Sequence, residues 1–109
     1  MQIRGNLRPR METMQPYEET VYVNLEYCSI VKDPFLTPQE AVVRLDMGDL
    51  KKEAFVPLRI VDEERSTVCA ALVGEARNEI YVLFPPTNFG QTRFYATEQQ
   101  LKRIAKELV

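Results

Sequence analysis

A chain of 109 residues with 45% hydrophobic and 28% charged side chains is sized for one domain and too apolar to be wholly disordered. Its net charge of −2 carries no long block of either sign, which weighs against a bulk polyanion binder or a membrane-surface protein. No apolar run approaches the about 20 residues that span a bilayer, the glycines are too scattered for a phosphate loop, and the lack of histidine removes every histidine-dependent catalytic triad.

Residues 1–16 show no hydrophobic period and mix Gly5, Pro9 and Pro16 with polar side chains, so they are expected to form a flexible arm ahead of a globular domain over 17–109. No apolar stretch follows Arg4, Arg8 and Arg10; a secretory signal is not expected and the chain reads as cytoplasmic. Over residues 20–32, Val21, Val23, Leu25, Tyr27 and Val31 share one parity, which predicts a half-buried strand with these residues inward. Asp33-Pro34 ends it.

Residues 37–48 admit two readings. Thr37-Pro38-Gln39-Glu40 has capping-box spacing with proline at the first helical position, the start of a helix near 38–47. Against it, Val42-Val43 is β-branched, and Val43, Leu45 and Met47 alternate with Arg44 and Asp46. A strand is the reading adopted.

Residues 54–62 follow as a strand with Val56, Leu58 and Ile60 on one face, and Pro57 places it on an edge or turns its nitrogen side outward. Residues 67–73 and 79–84 form a hairpin turned over 74–78, and 92–96 make a short last strand. Thr97, with Gln100 three residues on and Glu98 in the first turn, caps a helix. Leu101, Ile104, Ala105 and Leu108 fall at helical spacing opposite Lys102, Arg103 and Lys106, which carries the amphipathic stripe to the chain end. These elements predict a mainly β, α+β fold: a small antiparallel sheet curled toward an SH3-like barrel, with one C-terminal amphipathic helix. The alternative is an open α+β sheet with an additional helix near 38–47.

Chemistry is sparse. Cys28 and Cys69 lie in apolar segments and are expected to be buried and inert, and two isolated cysteines without histidine do not suggest zinc. Glu26 beside Cys28, Asp46 and Asp49 around Gly48, and Asp62-Glu63-Glu64 are the acidic candidates; none has a recognisable partner for acid–base work. No catalytic residue, metal or cofactor is expected.

The segment from Phe84 to Tyr95 is the most distinctive. Pro85 and Pro86 stiffen the exit from a strand, Asn88 and Gly90 permit a tight loop, and Phe89 stands near its tip, with Arg93 and Tyr95 on one parity beyond. The plainer reading is that Phe89 folds back to plug the core. The sharper one makes Asn88, Phe89, Arg93 and Tyr95 a binding site, since aromatic and arginine side chains anchor many interfaces. The leading function is then a non-catalytic interaction module that binds a protein partner or itself, as a homodimer. A nucleic-acid-binding barrel is the alternative, and a small histidine-free enzyme stands behind it.

Overall fold

The computed structural model describes residues 21–108, and for Leu36, Glu75, Ala76, Glu107 and Leu108 it describes the backbone alone. The expected arm over 1–16 lies outside the described residues. Over the described residues the fold is mainly β, with antiparallel sheets and one α-helix.

The predicted first strand is two strands. β1 (Val21–Glu26) and β2 (Ser29–Lys32) are separated at Tyr27-Cys28, where the chain leaves one sheet for another. The Tyr27 N–H still bonds the Ser66 carbonyl at 2.9 Å, while the Cys28 N–H bonds the Arg44 carbonyl at 2.9 Å. The switch reverses parity. Val21, Val23, Leu25 and Tyr27 are buried as expected, but Val31 points outward and Ile30 packs on the core. Cys28, expected to be buried, is exposed because it stands at this crossover, and both cysteines are free thiols.

β3 (Glu40–Asp46) and β4 (Lys51–Pro57) complete the order β2-β3-β4, so the helix near 38–47 does not form. Alternating Ala41, Val43 and Leu45 are buried, the pattern a strand satisfies and a helix does not. β4 is an edge strand, as its proline requires. It stops at Pro57, short of the expected Asp62: Leu58–Ile60 make a 3-10 turn, and β5 (Val61–Asp62) joins the larger sheet.

β6 (Thr67–Ala76) and β7 (Glu79–Leu83) form the expected hairpin, but the turn is tighter than predicted. Arg77 and Asn78 both take positive φ, as a two-residue hairpin turn demands, and the register slips between Val73 and Glu75, at Gly74. β8 (Arg93–Thr97) follows.

Thr97 caps α1 (Glu98–Ile104) with a complete capping box, Leu101 and Ile104 entering the core. The helix has only seven residues. Ala105 turns extended, and β9 (Ala105–Leu108) pairs with β1, giving the larger sheet the path β8-β7-β6-β1-β9. The open edge of β1 offers unpaired backbone groups, and the chain end takes them instead of another helical turn. The side chain of Leu108, predicted on the helix stripe, lies outside the described residues.

The SH3-like barrel is not closed. β4 and β8 approach without a ladder between them. The Phe55 N–H donates to Thr92 Oγ1 at 3.2 Å, and the Lys52 ammonium lies 5.7 Å from the Phe94 ring centroid. Among the described residues no helix is long and apolar enough to cross a membrane.

Candidate functional site

One core lies between the sheets, so each has an outer face. On the three-stranded sheet the register runs Val31–Val42–Phe55 across β2, β3 and β4. This is an apolar row on the side away from Val43, Leu45, Ala54 and Val56, which are buried. The next rows are charged: Arg44 opposite Glu53, then Asp46 opposite Lys51. Arg44 Nη2 reaches Glu53 Oε2 at 3.0 Å.

Two loops build above the apolar row. Between β2 and β3, Asp33, Phe35 and Gln39 all have positive φ, at 56°, 53° and 86°. For a bulky aromatic this left-handed conformation is unfavourable and persists only where the surroundings fix it. Here it holds the Phe35 ring out, 75% exposed. Between β7 and β8, the Thr87 and Gly90 backbones bond each other at 2.8 and 3.1 Å, and Thr87 Oγ1 accepts from the Phe89 N–H at 3.1 Å.

That turn lays Phe89 on Phe55, ring centroids 4.9 Å apart and stacked. Phe35 closes the cluster at 5.4 Å from Phe89 and 6.4 Å from Phe55. Phe89 is 46% exposed and Val31 60%, so three of the four exposed large hydrophobics among the described residues gather on this face.

Beneath them lies Glu40. It sits on the outward parity of β3, yet is only 6% exposed. Its Oε2 accepts the Asn88 N–H at 2.6 Å, and Oε1 is buried without a hydrogen-bond partner. The Glu40 carbonyl accepts from the Asp33 N–H at 3.1 Å and the Gln39 carbonyl from the Leu58 N–H at 2.8 Å. One residue thus ties the Phe89 loop to β3 at the point where the Phe35 loop enters it.

The four residues singled out from sequence divide between two faces. Asn88 and Phe89 belong to this cluster, Asn88 through its backbone. Arg93 and Tyr95 point outward from β8 on the larger sheet, where Tyr95 pairs with Tyr81 at 5.0 Å between centroids. Phe89 is not the plug; Phe84, wholly buried, fills that end of the core. Sequence reasoning missed Phe35, Phe55, Val31 and Glu40. The sole local signal was Phe35, an aromatic beside a strand-breaking Asp33-Pro34.

The acidic candidates have structural roles. Asp46 Oδ1 accepts the Gly48 N–H at 3.1 Å and Asp62 Oδ1 the Arg65 N–H at 3.2 Å, both closing turns, and Glu63 pairs with Lys32 at 3.1 Å. Among the described residues no group of three or more Cys, Asp or Glu is placed to hold a metal ion. Burial pushes the Cys69 thiol up, away from thiolate reactivity. No family model matches this chain, and no curated protein or solved structure matches it.

Proposed function

We propose that this chain is a non-catalytic interaction module whose outer three-stranded face docks a protein surface. The observation that carries the reading is the convergence of Phe35 and Phe89 over Phe55, at one end of the apolar row that exposed Val31 begins, with Phe35 held exposed in a conformation that disfavours it. Phenylalanine has no polar end to give to water, so an exposed cluster of rings is stabilised by covering it. The rings pack on one another at centroid distances of 4.9, 5.4 and 6.4 Å, which favours a broad apolar contact. Free thiols at Cys28 and Cys69 suit a cytoplasmic setting.

A photo-crosslinking side chain placed at Phe35 in cells tests this. Adducts should form at Phe35, fade when Phe89→Ser is added, and be absent when the probe sits at Glu98, an exposed position in the first turn of α1. A chain that gives no adduct at Phe35, or equal adducts at both positions, is not such a module.

Single-stranded nucleic acid is the second reading, favoured by Tyr81 and Tyr95 lying side by side with Arg93 one row away. A fluorescent oligothymidylate should then bind, weaken with salt, and be lost in Tyr95→Ala.

A further inference from the structure

We infer that the occupant of the outer three-stranded face is a second copy of this chain, packed face to face about a two-fold axis that runs parallel to the strands between β3 and β4. The inference rests on the interaction-module reading above and adds the partner and its register.

The charge pattern of the outward rows points to this register. Outward residues alternate in sign along each strand and oppose in sign between strands: Arg44 then Asp46 on β3, Glu53 then Lys51 on β4. A two-fold axis between these strands exchanges their positions when the faces meet. Arg44 then faces Glu53 of the second copy, and Asp46 faces Lys51 of the second copy, each contact occurring twice. An axis along β3 itself would set Arg44 against Arg44, and a slip of one row would set Arg44 against Lys51 and Asp46 against Glu53. Among axes parallel to the strands, this placement alone brings every one of these charges to its opposite, which is how charge fixes register between protein surfaces. An axis across the strands between the two charged rows would pair Arg44 with Asp46 and Glu53 with Lys51, but it would set the Val31–Val42–Phe55 row against the turn after Asp46 instead of against its own counterpart.

Shape agrees with charge. The same axis sets the small Val42 of one copy against Phe55 of the other, so the raised stack of Phe55 and Phe89 on β4 meets the lower Val31–Val42 side of β2 and β3. Sheets packed this way lie about 10 Å apart, enough for one layer of interdigitated side chains from each. Area is adequate only if the charged rows take part. Aromatic side chains bury about 150–250 Å² each, so Phe35, Phe89 and Val31 together supply on the order of 300 Å². A stable complex covers about 800 Å² per partner, and the Arg44–Glu53 and Asp46–Lys51 rows border the apolar row where the remainder is needed.

Light scattering of the full chain at micromolar concentration, after size exclusion, should give about twice the 12.7 kDa chain mass. Arg44→Glu places like charges opposite each other at two symmetry-related points and should weaken the dimer at least about tenfold. The exposed Arg44–Glu53 pair contributes little to folding, so the thermal melt should barely move. Adding Glu53→Arg to Arg44→Glu inverts both partners and should restore the dimer. A dimer indifferent to Arg44→Glu, or one not restored by the double exchange, overturns the proposed axis. A monomer at high concentration whose Phe35 adducts carry the mass of another protein overturns the second copy while leaving the module reading intact. Absence of any Phe35 adduct defeats both.

Discussion

The two sheets turn different outer faces to solvent, and exposure alone does not distinguish them. Tyr95 on the larger sheet is 48% exposed and Phe89 beside the smaller one 46%. The larger sheet places tyrosines outward at Tyr22, Tyr81 and Tyr95, among Asn24, Glu79 and Arg93. A tyrosine covers apolar surface with its ring and satisfies water with its hydroxyl. The smaller sheet offers Val31, Val42, Phe55, Phe35 and Phe89, which have no such end. A half-exposed aromatic therefore marks an interface only when its chemistry gives water nothing to hold and its neighbours are equally apolar.

The contrast is widest within one loop, between its first residue and its tip. Phe84→Ala removes a wholly buried ring and should cost about 3–5 kcal/mol, whereas Phe89→Ala should cost about 1 kcal/mol or less. Urea melts of the two variants measure this directly. Equal losses would return Phe89 to the core and dissolve the contrast between the faces.

Next is the tether. Glu40→Ala leaves the Asn88 N–H without its acceptor and should cost about 1–3 kcal/mol. Hydrogen exchange at the Asn88 amide should accelerate sharply, while amides of the β6–β7 ladder keep their protection. Glu40→Gln retains an acceptor oxygen and should preserve most of the Asn88 protection.

A smaller effect, opposite for stability and association, is expected at Phe35. Asparagine tolerates the left-handed conformation better than phenylalanine, so Phe35→Asn should hold or raise stability within about 1 kcal/mol. The same change should abolish self-association in light scattering. The smallest effect belongs to the larger sheet: Tyr95→Phe should shift stability by less than about 0.5 kcal/mol and leave the dimer unchanged.

Much of the architecture was legible because it depends on neighbours in sequence. The Thr97 capping box, the β-branched alternation through Val42-Val43, and the edge position forced by Pro57 are all local constraints, and each holds. What was not legible depends on a bend or on distant partners. The parity of Val31 follows Val21 and Val23 only if the strand stays in one sheet, and the crossover at Tyr27-Cys28 inverts it. Leu108 carried a helical spacing that lost to the unpaired edge of β1, an edge that exists only once β6 has paired. The Phe35–Phe55–Phe89 cluster joins three segments far apart in the chain, so only its Phe89 corner drew attention, and Arg93 and Tyr95 were grouped with it by proximity in sequence.

β1 has a consequence for how the protein is made. It is flanked by β6 on one side and β9 on the other, and it continues into β2, the first strand of the smaller sheet. Residues 21–32 therefore belong to both sheets, and pulling them out of one disturbs the other. During synthesis these residues emerge before β6 and β9, and the second edge of β1 stays open until residues 105–108 have left the ribosome. Such long-range pairing slows folding and leaves an exposed strand edge open to neighbouring nascent chains. A ribosome stalled before Ala105 should hold a chain that is protease-sensitive through both sheets, and release of the last four strand residues should close them together.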